Sequence, residues 1–493
     1  MEKKRGGIAG KIISAVFLLE VLAFMGLLVY IKMVPVVVLA IAGVILLLLV
    51  FTVTVLTWKT HNAVRFVMGT VLALIFTVLL VLGGMYVYKT TSTLSGITGV
   101  NTEIAQMGVY VRADDAAATA QDASGYTYGI LSTLDRENTD TTVAQLGEEL
   151  GVQLQTKEYQ GLTDLVDGLL REETGAIILN QAYFGILEEI DGYADVESRI
   201  KEISVQNVET TIAPETTADN GSAAQDTASG DGKVYTVYIS GIDNRGGIVA
   251  KSRSDVNIIA VANTATRQLL LVSTPRDYFI PLSISGGVPD KLTHAGIYGI
   301  NVCMDTLGML YDIDINNYFR LNFDGFTKII DALGGITVNS DYEFDSKNTT
   351  GYHFVQGENQ VNGEQALVFA RERYAFKEGD RQRGKNQMAV IKGVVDKAMS
   401  PELLKNYSSI LSSVEGCFET NIAYEEIARL LQQQLTSGGS WNVVTYSVDG
   451  SGDTQKPYSM SQNAYVMVPD YTTVDHAKQL IKDVTDGLTI TQE

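Results

Sequence analysis

Three separated stretches of the sequence gather arginines around a few aspartates. They are Gly241-Ile242-Asp243-Asn244-Arg245 with Arg253-Ser254-Asp255, then Thr274-Pro275-Arg276-Asp277, then Arg371-Glu372-Arg373 with Asp380-Arg381-Gln382-Arg383-Gly384-Lys385-Asn386-Gln387. A guanidinium fork binds two phosphate oxygens at once and keeps its charge at any working pH. Magnesium prefers oxygen ligands, commonly one or two carboxylates completed by phosphates of the substrate. Asp243 and Asp255 therefore suit a divalent metal, Mg2+ or Mn2+, while Arg253, Arg276, Arg371, Arg373 and Arg383 suit a pyrophosphate. Phosphoryl transfer asks of a protein mostly positioning and charge neutralisation, which this set could supply. Surface Arg–Asp pairs are common and worth ~0–1 kcal/mol each. One stretch alone would be read that way; three that converge favour a site.

The elements around these residues predict that convergence. Residues 235–240 alternate β-branched and aromatic types and read as a strand that Gly241 ends, with Asp243 in the following loop. Asp255 stands just before a second strand, 256–261, and Pro275-Arg276-Asp277 just after a third, 268–273. As an antiparallel meander, the three strands place Asp243, Arg253, Asp255 and Arg276 at one edge of the sheet. Asn362 and Gln365 read as a capping box that opens a helix towards Arg371 and Arg373, which point the same way if the chain there is extended. Asp380 can cap a second helix reaching about Met399, with Arg383 and Gln387 on one face and Met388, Ile391, Val394, Val395 and Ala398 on the buried side. Lys291 and Thr293 follow Pro289-Asp290 and are candidates for the same pocket; His294 is more often a hydrogen-bonded core histidine than a base. No Gly-rich phosphate loop ending in Lys-Ser/Thr competes, and no serine elbow. The four histidines show no zinc spacing.

The surroundings bound the chemistry. Of 493 residues, 57 are acidic and 37 basic, a net charge of −20. The first 92 residues hold only Glu2 and Glu20 against Lys3, Lys4, Arg5, Lys11, Lys32, Lys59, Arg65 and Lys89, so the remainder is strongly acidic. Nucleic acid is a poor partner for it, since no basic stripe with interleaved aromatics is present. Apolar runs at 12–31, 34–57 and 66–88 each reach the ~20 residues a membrane helix needs, and they predict a membrane anchor over residues 1–92. Basic residues cluster before the first run and between the second and third, which places the N-terminus in the cytoplasm and everything after Tyr88 outside. Glu20, inside the first run, calls for a partner among the helices or a contact to a lipid-linked substrate. Residues 90–100 read as a polar stalk, and 100–205 as a small α/β domain with strands at 126–131 and 175–180 and helices at 142–150, 162–173 and 183–190. Its carboxylates read as solvated helix faces rather than a site. Residues 206–232 have hardly any apolar bulk and read as a flexible linker; the second domain covers 233–493. For Cys303 and Cys417, a disulfide and two buried thiols are equally open.

These residues resemble the LytR-CpsA-Psr (LCP) family of cell-wall glycopolymer transferases. The resemblance runs from about Val234 to Met399 through Gly241-Ile242-Asp243, Arg253-Ser254-Asp255, Pro275-Arg276-Asp277, Lys291-Leu292-Thr293-His294-Ala295, Asn322-Phe323-Asp324-Gly325-Phe326, Asn362-Gly363-Glu364-Gln365-Ala366-Leu367 and Arg371-Glu372-Arg373 to Gln387. Three membrane helices plus an accessory domain are similar to the capsule-associated branch. The resemblance implies an α/β sandwich around a mixed sheet, with an apolar tunnel for a polyprenyl chain. It implies transfer of a glycopolymer, capsular or teichoic-acid-like, from undecaprenyl (pyro)phosphate onto peptidoglycan with a divalent metal. Carried across by residue, Asp243 and Asp255 would hold the metal. Arg253, Arg276, Arg371, Arg373, Arg383 and Gln387 would hold the phosphates, supported by Asp380, and Lys291 is a further candidate for binding the pyrophosphate. Asp277 and Asp243 are both candidates for the proton acceptor, as is a phosphate oxygen. Two departures are Thr274, where another residue often precedes Pro-Arg-Asp, and Gly296, in place of a frequent aromatic.

Overall fold

The three apolar runs form helices α1 (Ile8–Tyr30), α2 (Val36–Thr57) and α3 (Ala63–Ile97), each long and apolar enough to cross a membrane. The computed structural model describes residues 8–30, 36–58, 62–97, 102–211, 233–242, 251–398, 418–423, 426–427, 429–430, 433–434 and 438–492. Contacts divide the chain into two compact units, one of residues 1–99, 407–415 and 422–440, the other of 100–406, 416–421 and 441–493. In the first, Glu20 accepts a hydrogen bond from the Thr77 hydroxyl at 2.6 Å, which makes α3 its partner. Of the expected stalk, residues 90–97 are instead the last part of α3, and residues 98–100 lie outside the described residues. Its Thr and Ser lower helix propensity by only a few tenths of a kcal/mol each, too little to stop a helix already under way.

The second unit begins with a five-stranded sheet of β1 (Thr102–Arg112), β2 (Thr127–Leu131), β3 (Gln155–Tyr159), β4 (Ala176–Asn180) and β5 (Ile200–Thr211), in the order β3-β2-β4-β1-β5. β2 runs parallel to β3 and β4, while β1 is antiparallel to β4 and β5. Helices Arg136–Leu150 and Leu162–Leu170 accompany it. The sequence shows β2, β4 and these helices with shifted ends, but it misses β1, β3 and β5. β5 also takes residues 206–211 from the expected linker; residues 212–232 lie outside the described residues.

The carboxy-terminal domain carries the expected meander. β6 (Val234–Ile242), β7 (Ser254–Asn263) and β8 (Gln268–Ser273) are successively antiparallel. Strand Asn317–Asn322 joins parallel to β6, Phe418–Thr420 pairs antiparallel outside it, and Asn442–Ser447 lies parallel to β8. The result is a six-stranded mixed sheet. Alternate residues face opposite layers. Tyr238, Ile259, Val261, Leu270 and Val272 pack with residues of helices Ile300–Tyr311 and Tyr471–Thr485, whereas Ile258, Ala260 and Leu271 pack with Met388 of helix Asp380–Ala398. Cover on both faces explains why β7 and β8 are near-continuous apolar runs. Cys303 is buried in the first layer, and burial pushes its thiol up to about 12, which favours the protonated thiol at neutral pH; Cys417 lies outside the described residues.

The two domains of this unit share a core. Ile297 and Met460 of the second pack in one apolar cluster with Leu187, Ile190 and Val196 of the first. The hydroxyls of Thr163 and Ser461 are 2.7 Å apart, and the Lys251 amide donates to the Ile104 carbonyl at 3.0 Å. Glu103, on β1, forms an ion pair with Arg320, whose guanidinium also meets Glu419; all three side chains are buried.

Candidate active site

The arginine-bearing stretches converge on a single cavity of about 520 Å³. Arg253 and Asp255 reach it from the start of β7, Arg276 and Asp277 from the turn after β8, and Lys291 from the short strand Pro289–Lys291. Arg371 and Arg373 come from the end of helix Gly363–Arg371, and Arg383 and Gln387 from helix Asp380–Ala398. Asp380 lines an adjoining pocket of about 300 Å³. Asp243 lies outside the described residues.

Local structure explains how the last group is held. Asn362 and Gln365 form the capping box, worth about 1 kcal/mol to its helix. Glu372 follows in extended conformation, so Arg371 and Arg373 face the cavity while Glu372 turns inward. There its carboxylate accepts from the Ser346 hydroxyl at 2.6 Å and from the backbone amides of Lys347, Asn348, Arg373, Tyr374 and Ala375. Burial raises the Glu372 pKa, but these hydrogen bonds outweigh it and hold it below the ordinary range. Asp380, at the start of its helix, accepts from Arg383 at 2.7 Å and lies 3.8 Å from Arg373.

The opposite wall is a dense charge cluster. Arg276 reaches Asp255 at 2.9 Å, and Asp277 lies 3.4 Å from Lys291. The Thr293 hydroxyl donates to the same Asp255 oxygen at 3.2 Å. Burial would lower the Arg276 pKa, but Asp255, Asp277 and Glu189 raise it above its ordinary value. His294 is the core histidine: fully buried, with Nδ1 2.7 Å from Asp290 and 2.8 Å from Ser459. Gly296 has a steric reason. A β-carbon there would stand 2.4 Å from the Ser252 carbonyl oxygen and 2.7 Å from the Ser254 nitrogen, so only glycine lets the Arg253 segment pass. Thr274 is buried with its hydroxyl 2.8 Å from that of Tyr311.

One residue at this wall comes from the other domain. Glu189 sits on Arg253 (3.0 Å), Arg276 (2.9 Å) and Lys291 (2.6 Å). Burial raises its pKa, but Lys291 and Arg276 outweigh that and bring it down to about 2. No sequence motif marks a site residue in this domain. Its partners are 64, 87 and 102 residues away in the chain, and nothing local marks Glu189 among its acidic neighbours.

Away from the charges the cavity is apolar. Ile239, Val256 and Leu321 of the sheet face Phe323, Phe326, Leu367 and Ile391 of the helices. Such a space can take a ligand with an anionic head and an apolar body. Among the described residues no group of three or more His, Cys, Asp and Glu could hold a metal unaided. Asp255 still suits magnesium completed by ligand phosphates, because its Arg276 and Thr293 contacts both fall on Oδ1.

A mixed sheet between helical layers, with cationic and apolar side chains lining one cavity, defines an α/β protein with an amphiphilic cavity. The LytR_cpsA_psr family model matches residues 201–482, more than half of the sequence, and the chain belongs to that family. It is 35% identical over 198 residues to the polyisoprenyl-teichoic acid–peptidoglycan teichoic acid transferase TagU of Enterococcus faecalis, a match covering 40% of this chain and 64% of that one. It is 31% identical over 218 residues to the enzyme of that name from Bacillus licheniformis, covering 42% and 69%. The crystal structure of B. subtilis TagV aligns with a TM-score of 0.44 at 28% identity, covering 52% of this chain and 99% of TagV.

Proposed function

We propose that the protein is a phosphotransferase that moves a glycopolymer, capsular or teichoic-acid-like, from undecaprenyl (pyro)phosphate onto peptidoglycan. The observation that carries this reading is the single cavity in which Arg253, Arg276, Lys291, Arg371, Arg373 and Arg383 adjoin an apolar chamber. The pyrophosphate would lie among the cations and the polyprenyl chain in the apolar part. A sugar hydroxyl of peptidoglycan attacks the phosphorus bonded to the polymer's reducing sugar, and polyprenyl phosphate leaves. The guanidinium groups neutralise charge that develops on the transferring group. Asp277 lines the cavity and is a candidate to receive the hydroxyl proton. Magnesium or manganese, when bound to Asp255 and Asp243, would supply further positive charge to the phosphate oxygens. The helices α1–α3 anchor the chain with the N-terminus inside and the catalytic domain at the outer face, in accord with the distribution of basic residues.

The test supplies labelled lipid-linked polymer and peptidoglycan to the purified chain. Metal-dependent label in the wall material is expected. Hydrolysis without attachment would make it a pyrophosphatase, and tight lipid retention with neither product a binding regulator. Asp255→Ala should lower activity and weaken the magnesium dependence together; an unchanged magnesium titration overturns that carboxylate assignment.

A further inference from the structure

The cationic wall already holds an anion, and that anion belongs to the chain itself. Glu189 contacts three of the phosphate-binding candidates, Arg253, Arg276 and Lys291, whose side chains are only 15%, 11% and 5% exposed. It stands on a fixed turn. Its amide donates to the Ile186 carbonyl at 3.1 Å, and buried Leu187 and Ile190 flank it in the core shared by the two domains. Gly185 of the same segment accepts from Arg253 through its carbonyl at 2.9 Å, and a β-carbon at 185 would stand 2.7 Å from the Arg253 guanidinium. The turn is thus shaped to receive Arg253 as well as to present the carboxylate.

We propose that Glu189 is a built-in counter-anion of the phosphate site: the donor enters by displacing its carboxylate from Arg253, Arg276 and Lys291, and the carboxylate returns as the phosphate product leaves. This rests on reading the cavity as a phosphate site. The charge count supports it. Three cations face Asp255, Asp277 and Glu189, so the wall is neutral at rest, and a pyrophosphate added with Glu189 in place would bring like charges together in a partly desolvated space. A carboxylate held at about 2 is also a poor base, which argues for charge balance rather than proton transfer at rest. Because the turn is anchored in a shared core, displacement is a rotation of the Glu189 side chain and not a swing of the domain.

Calorimetry of the full-length chain in detergent micelles, with inorganic pyrophosphate as probe, tests this. Glu189→Gln keeps the shape and removes the charge, so its Kd should fall about tenfold or more relative to wild type. Glu189→Asp, which keeps the charge on a shorter arm, should fall between. Arg276→Ala should bind weakly. If Arg276→Ala loses binding while Glu189→Gln matches wild type or weakens, the counter-anion is refuted and the phosphate site stands. If neither wild type nor Glu189→Gln binds pyrophosphate, both fall. A measurement on the unaltered protein avoids any folding defect: pyrophosphate should increase labelling of Glu189 by a water-soluble carbodiimide and an amine, read by mass spectrometry. Labelling that stays level overturns the proposal.

Discussion

Two glutamates of the amino-terminal domain reach arginines of the carboxy-terminal domain under opposite conditions. Glu103 meets Arg320 in a sealed interior, with Glu419 on the same guanidinium and side-chain exposures of 2–5% throughout. Glu189 meets Arg253, Arg276 and Lys291 at the wall of an open cavity and keeps a quarter of its side chain exposed. Burial drives the Glu419 carboxyl up to about 7 despite Arg320, whereas at Glu189 burial is outweighed by Lys291 and Arg276, which bring it down to about 2. The same pairing of residue types therefore gives two devices. A sealed pair has nothing to exchange with and fixes the domains. A pair at a cavity wall can be traded for an incoming anion.

Substitutions on either side should break this contrast in different observables. The largest effect is expected at the cavity, where Arg276→Ala should lower transfer activity about a thousandfold with little change in unfolding temperature. Retained turnover would remove Arg276 from the reaction. At the sealed site, Arg320→Ala strands Glu103 and Glu419 without their cation and should cost about 3–5 kcal/mol of stability, seen as a large fall in Tm. A stability loss no greater than that of Arg276→Ala would erase the distinction between the two sites.

A smaller effect sharpens the comparison by pH. An unfolded glutamate titrates near about 4.3, so between there and about 7 the folded chain carries an extra proton on Glu419. Stability should then decline as pH rises through that interval and level off above it, because the folded state binds more protons than the unfolded one. Glu419→Gln should flatten the slope in thermal unfolding series between about pH 5 and about pH 8. A slope that survives the substitution would assign it to another group. Glu189 acts in the opposite sense: its stabilisation is present above the ordinary carboxylate range and is lost as pH falls towards about 2.

The convergence of these side chains on one cavity was legible because its signals are local. The meander at 235–273 rests on period-two patterning and turn residues, and it alone brings Arg253, Asp255 and Arg276 to one edge. The capping box at Asn362 and the spacing of Arg383 and Gln387 are also short-range features. What escaped was non-local or carried weak periodicity. β3 reads Gln-Thr-Lys-Glu-Tyr, four of five residues exposed, so no apolar rhythm announces it. β5 continues a polar sequence into strand because β1 pairs with its whole length. Glu189 was invisible for the same reason, since its role exists only once the two domains are packed. Gly296, a departure from the family pattern, is clearance for the neighbouring backbone, which only the packed structure reveals.

The common apolar cluster that joins Ile297 and Met460 to Leu187, Ile190 and Val196 has a practical side. Expression of the carboxy-terminal domain by itself, from residue 233 onward, would cut through that cluster rather than between modules. The excised piece would present greasy surface to water and carry Arg320 without Glu103 and three site cations without Glu189. Its solubility and its ligand affinity would then differ from those of the intact chain for reasons unrelated to catalysis.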